Sequence, residues 1–404
     1  MTTFSALVRD FLAAAVVDRA EVDRFLDPDH PKWARFDAEL GYLPHPSRVP
    51  DGIDGALSTY RYGSFGERLV INGTGQPCRV NSYGNSFTQC HQVSDGETWQ
   101  EYLAAHLGEP IRNFGVGGFG VYQAYKRLSR TEATEAGADN VLFNIYFDDH
   151  YRSLDAYRRL RVGQSWWDHH RPLATSMFHA NPWVHVRFDE AGELVDRPNV
   201  CPSEESLYQL CDLDFLVETF GDDLVVQLLV GRQTGRYDFL DAHRDTAAAL
   251  GLTLDLGSDE ARARSAAAFY DACAFRASII LLERMRTQLA QAGKRLLLLL
   301  SYPGDIVADG CAGGRRPDED FVRMLDERQI EYLDSLAGHV DDYAAFSITP
   351  KDYVRRYYES HYTPAGNHFF AFFVKPAVVR WLTPHPPAYP AGEGASAVDA
   401  DRLA

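Results

Sequence analysis

Four short stretches of this chain combine residue types that could carry out acyl chemistry. In Tyr83-Gly84-Asn85-Ser86-Phe87, a serine follows a strand-like stretch and a glycine that lets the chain turn. In Asn113-Phe114-Gly115-Val116-Gly117-Gly118-Phe119-Gly120, glycines can present backbone N–H groups to an anion. That loop does not match the Walker pattern, and a dinucleotide-binding turn is not expected there. Phe147-Asp148-Asp149-His150-Tyr151-Arg152-Ser153 is a dense polar cluster at the end of an apolar run. The fourth stretch, Tyr358 to His368, offers His361 with Glu359 close by. Ester hydrolysis through a covalent intermediate needs a hydroxyl nucleophile, a base, a group that orients the base and donors for the oxyanion. Taken singly, each stretch has a plainer reading: a helix N-cap, a turn, a solvated loop, a helix-opening residue.

The elements that would position these groups alternate between strand and helix. Strands are expected at 78 to 84, 111 to 114 and 140 to 147, with helices at 98 to 107 and 121 to 135 between them. After an excursion over about 155 to 258, with a hairpin around Glu190-Ala191-Gly192 and a helix at 204 to 220, the alternation resumes. A long helix over 259 to 292 ends at Gly293 and hands over to the strand KRLLLLLSYP. A helix at 318 to 327, a strand at 330 to 334 and a last helix at 364 to 382 follow. Such succession builds a parallel sheet flanked by helices, because parallel neighbours need a crossover. Strands on both sides of the excursion point to one sheet, at 61 to 382. It would be preceded by a helical N-terminal segment, 1 to 60, and followed by a Pro/Ala/Gly-rich tail, 383 to 404, expected to lack fixed structure. In open α/β sheets ligands bind beyond the carboxyl ends of the strands, where the first three stretches fall.

In this order and spacing the four stretches resemble the SGNH hydrolase superfamily, the GDSL-like esterases and lipases. The resemblance runs from about Phe36, in FDAELGYLPHP, to about Leu382, and is thinnest across the excursion. It implies an α/β fold, a three-layer α/β/α sandwich with a mainly parallel, flavodoxin-like sheet and a large insertion. It also implies that Ser86 is the nucleophile, that His361 takes its proton, and that the N–H groups of Ser86 and Gly118 bind the oxyanion. Asn85 stands where the family has aspartate. The family's aspartate before the histidine is replaced by Glu359 or Tyr358, of which Glu359 is expected to orient His361. Asp148 stands where the family places an oxyanion-donating asparagine, and a carboxylate donates only when protonated. Either Asp148 turns away or keeps a proton, or Asn144, His150 or Arg152 supplies the donor; His150 and Arg152 are also expected to contact substrate. The resemblance implies hydrolysis of a small-molecule or glycosyl ester without a cofactor. An acyltransferase using the same site and a catalytically impaired binding module remain as competing readings.

Composition narrows the setting. Lysines and arginines number 40 against 57 acids, so the formal charge of −17 argues against a nucleic-acid partner and for solubility. The six cysteines form no CxxC pair and are expected to be reduced, which suggests the cytoplasm. The N-terminus reads as an amphipathic helix and not a signal peptide, and no membrane span is expected. Asp168-His169-His170, with His179 and His185, lacks metal-ligand spacing, so no metal is expected there. Trp166, Trp167, Phe178 and Trp183 would let the insertion cover the site and select the substrate.

Overall fold

A computed structural model describes residues 3–163 and 181–389. Two helices, Phe4–Ala13 and Arg19–Leu26, come first, where one amphipathic helix was expected. Asp18 divides them by accepting a hydrogen bond from the Ala20 N–H, an N-cap that starts the second helix afresh. Two antiparallel hairpins follow, β1 (Ala34–Asp37) with β2 (Gly41–Pro44) and β3 (Ser47–Val49) with β4 (Ser58–Tyr60).

The principal sheet is built from β5 (Val80–Tyr83), β6 (Arg112–Asn113) and β7 (Asn140–Tyr146) before the excursion, whose own hairpin is β8 (His185–Phe188) and β9 (Leu194–Arg197). Strands β10 (Arg295–Ser301) and β11 (Tyr332–Asp334) complete it. The spatial order is β11-β10-β7-β5-β6, with every pairing parallel. Strands β7 and β10 are neighbours in register from Asn140 with Arg295 to Tyr146 with Ser301, although residues 147–294 intervene. Counted along the chain, the order is 2-1-3-4-5, so the direction of winding reverses between β5 and β7, where a crevice opens at the carboxyl ends. Both central strands read as unbroken apolar runs because neither face meets water: Val141, Leu142, Phe143, Leu297, Leu298 and Leu299 are fully buried.

Alternation along β5 sends neighbouring side chains to opposite faces. Asn81 donates to Glu132 at 2.7 Å, on the helix Val121–Glu132, while Ser82 accepts from Gln100 at 3.1 Å, on the helix Trp99–Leu107. The first helix packs on the 33-residue helix Asp259–Gln291, and the second on the last helix, Pro364–Trp381. Helix Asp259–Gln291 is long and apolar enough to cross a bilayer by length and composition, yet most of that stretch is buried inside the protein. Its Ala274, Ala277, Ser278, Leu281 and Leu282 are buried, as expected of a core helix.

Two further expectations change in detail. The helix foreseen at 204 to 220 is a 3-10 stretch, Glu205–Cys211, followed by the α-helix Leu213–Phe220. Asp212 adopts extended backbone between them and caps the second through the Asp214 N–H. The strand at 111 to 114 shrinks to two residues, because the Asn113 side chain bonds Gly115 N–H and Thr88 carbonyl and starts the glycine loop early. All six cysteines are free thiols.

Candidate active site

The Ser86 segment is a sharp turn out of β5. Gly84 has φ +148, and a Cβ there would lie 2.3 Å from Thr88 Oγ1 and 2.4 Å from the Asn144 carbonyl, so no other residue fits. Asn85 caps the short helix Ser86–Gln89 by accepting from Phe87 N–H at 2.7 Å, and its amide donates to Asp149. Asn85 thus fixes the turn from the side, and Ser86 is the first helical residue, with an N–H that no described residue accepts.

The histidine arrives from the far end of the chain, after helix Pro350–Tyr357 and just before Thr363 caps the last helix. Asn367 ties the two segments together. Its amide donates to the Tyr362 and Thr363 carbonyls, and its oxygen accepts from Trp99 N–H, whose indole in turn donates to the Phe87 carbonyl. His361 Nε2 lies 2.8 Å from Ser86 Oγ, and the imidazole packs 5.0 Å from the Phe87 ring.

Neither expected partner orients His361. Glu359 is exposed and its side chain makes no hydrogen bond among the described residues: the turn closed by Glu359 N–H on the His361 carbonyl points it into water. Tyr358 is buried and its hydroxyl meets His339 Nε2 at 3.1 Å. His361 Nδ1 meets the Ser360 hydroxyl at 3.2 Å, which itself donates to Gln92 at 2.8 Å, and it meets Gln92 directly. Gln92 Oε1 accepts from His361 N–H at 2.8 Å and Ser360 N–H at 3.3 Å, and lies 3.2 Å from Nδ1. Backbone N–H groups only donate, so the amide oxygen must face them, and Nδ1 must then carry the proton. That tautomer leaves the Nε2 lone pair toward the serine hydroxyl. The carboxamide orients the imidazole but brings no charge to stabilise imidazolium. Burial, and then Arg152, depress the His361 pKa to about 3. Gln92→Ala should lower kcat/KM about 10- to 100-fold, less than the 10²–10⁴ a general base is worth because the imidazole itself remains, while Glu359→Ala should change it less than about twofold. Steady-state hydrolysis of a chromogenic acetyl ester measures both, and the reverse ranking would reinstate Glu359.

The glycine loop lies against the helix Ser86–Gln89, with Val116 N–H on the Gly84 carbonyl and Gly117 N–H on Gln89 Oε1. Its glycines do fall at the GxGxxG spacing, but the cradle such a turn offers a pyrophosphate is filled. Gly115, Gly117 and Gly120 N–H groups donate to Asn113, Gln89 and Gln123 side chains. The Gly118 N–H, at φ +86, has no acceptor among the described residues.

Asp148 is not a donor. Arg152 and Arg161 both bind it, and despite burial, which acts the other way, they hold its carboxyl far below the usual range, ionised. Asp149 is the acid that burial pushes up, to about 7; it accepts from Asn85, Tyr146 N–H and Arg152. Asn144 is spent beneath the site, donating to Thr88 Oγ1 and accepting from Ser301. His150 points away, bonded to Ser278 and packed on Phe275 and Phe321, with a pKa lowered to about 4 by burial. Arg152 remains: it reaches the Phe119 carbonyl at 3.4 Å, beside Gly118, and its charge is felt by His361.

No three His, Cys, Asp or Glu side chains gather to hold a metal among the described residues. His185 is buried on β8, and Trp183 is buried against Tyr42; Trp166, Trp167, Asp168, His169, His170, Phe178 and His179 lie outside the described residues. Sequence reasoning missed Gln92, since a lone glutamine in a polar stretch carries no signal of its role; its left-handed backbone, φ +68, becomes evident only in the folded chain. No family model matches the chain, and no curated protein matches it.

Proposed function

We propose that this protein is a serine-dependent acyl hydrolase of the SGNH (GDSL-like) kind, acting on carboxylic esters of small molecules or sugars. The observation that carries the reading is the 2.8 Å contact between Ser86 Oγ and His361 Nε2, made across 275 residues of sequence at the carboxyl edge of a parallel sheet. The 2-1-3-4-5 strand order and the bonding of Asn81 and Ser82 to helices on opposite sides fit a flavodoxin-like three-layer sandwich.

In the proposed cycle, Ser86 Oγ attacks the ester carbonyl as His361 Nε2 takes its proton. The tetrahedral oxyanion is held by the Ser86 and Gly118 N–H groups, with the Arg152 guanidinium supplying the charge that the missing asparagine would have matched with a dipole. The leaving alkoxide takes the proton from His361, and water repeats the sequence to release the acid. Arg152 has two opposed effects: it favours the oxyanion and disfavours imidazolium. A fluorophosphonate probe should label the wild-type chain at Ser86 and leave Ser86→Ala unlabelled. Failure to label the wild type would sink the reading. Product analysis with an added acceptor alcohol separates hydrolysis from acyl transfer.

A further inference from the structure

Four residues, Val116 to Phe119, form a turn closed by Phe119 N–H on the Val116 carbonyl at 3.2 Å. Gly118 is its third residue and has φ +86, the value that distinguishes a type II turn from type I. The two types differ by a flip of the central peptide, here the one joining Gly117 to Gly118. In a trans peptide the C=O and the following N–H point in opposite directions, so the flip exchanges their places. With glycine at both central positions, neither state is sterically excluded. The catalytic consequence is large: one state offers the Gly118 N–H to an oxyanion, the other offers the Gly117 carbonyl, which repels it.

Tyr42 addresses this peptide directly. Its hydroxyl donates to the Gly117 carbonyl at 2.8 Å. The ring is fully buried between Trp183, 6.0 Å away and nearly parallel, and Phe119 at 5.6 Å, so the hydroxyl has little freedom to follow a peptide that turns. Gln89 holds the other side of Gly117, accepting its N–H at 2.5 Å. Tyr42 sits on β2, in the hairpin that precedes the nucleophile strand, and Asp37 of β1 is clamped to Arg130 by two hydrogen bonds of 2.9 Å. The hairpin is therefore fastened to the domain independently of the loop.

The geometry points to Tyr42 as a positioning residue that locks the Gly117–Gly118 peptide in the orientation that makes Gly118 N–H an oxyanion donor. This rests on the serine-esterase reading above. Complete loss of one such donor costs about 10²–10³ in rate, and a peptide released so that the flipped orientation outweighs the donating one by about ten to one should cost on the order of tenfold. Tyr42→Phe should therefore lower kcat on a chromogenic acetyl ester about tenfold with KM held, and weaken inhibition by a boronic acid, which forms a tetrahedral adduct on the serine, by a similar factor. Gly118→Ala disfavours positive φ and drives the same flip; in that background Tyr42→Phe should cost less than about twofold further. Unchanged kcat and boronate affinity in Tyr42→Phe, or full tenfold losses in both backgrounds, would overturn the lock while leaving the esterase reading intact. Absence of fluorophosphonate labelling in the wild type would remove the reading, and the lock with it. Should Tyr42→Phe fail to fold, the Gly118 amide proton of the wild type decides: a downfield shift on forming the boronate adduct supports its donation, and an unmoved resonance overturns it.

Discussion

Ser86→Ala should fold normally and hydrolyse a chromogenic acetyl ester about 10⁴- to 10⁶-fold more slowly than the wild type, and His361→Ala should do nearly the same. Folding should survive because the turn is held by its neighbours: Gly84 by its left-handed backbone, Asn85 by Phe87 N–H and Asp149. Among the described residues, the serine hydroxyl bonds only to the imidazole. On the proposed mechanism the double variant should be no slower than either single one, because nucleophile and base would act as a unit and the remaining rate would come from the Ser86 and Gly118 N–H groups and from binding. A Ser86→Ala chain retaining a tenth of the wild-type rate would transfer the chemistry to some other group.

The second large effect is on stability. Between pH 6.5 and about 4.5, unfolding should take up a net of about three protons, so that stability falls by about 4 kcal/mol for each pH unit. Burial depresses the pKa of His150 to about 4 and of His185, His339 and His361 to about 3, and His91 falls well below the usual value for the same reason. Each is neutral when folded and charged when unfolded in this window. Lower pH therefore favours the unfolded chain, and the loss is complete only near the folded values. Asp149 and Asp155, pushed up to about 7 and about 6 by burial, work in the opposite sense and return up to two of the five protons. Against a typical stability of about 5–15 kcal/mol, this slope should unfold the protein in mild acid, before His361 titrates in the folded state. Urea midpoints measured from pH 7 to 4.5 give the slope. His339→Gln should reduce it by about one proton, since the amide can still meet the Tyr353 and Tyr358 hydroxyls but does not titrate. Stability that stays level or rises over this range would contradict the burial assigned to these histidines.

Local pattern alone made much of the fold legible. The runs VLFNI and LLLLL announce strands, and Gly293, with φ +71, follows the end of the long helix as expected. The serine turn and the glycine loop could be read in the same way, because each is a contiguous stretch whose function depends on its own backbone. Helices Ser335–Tyr343 and Pro350–Tyr357 escaped notice: they pack around His339 and the tyrosines that surround it, a pattern that becomes coherent only when those residues meet.

Relations between distant residues were decided by tertiary structure. Glu359 was the natural partner for His361 by proximity along the chain, yet a tight turn sends it to solvent while Gln92, 269 residues away, takes the place at Nδ1. Asp148 was expected to hold a proton or turn aside; Arg161, 13 residues on, makes the ionised form the stable one. Tyr42 lies 75 residues from the peptide it touches. The sequence by itself determined which segments are strands, helices and sharp turns, since those follow from side-chain periodicity and backbone sterics over a few residues. Charge state, tautomer and donor orientation depend on distances of about 3 Å and on exclusion of water, and these exist only after the chain has closed on itself.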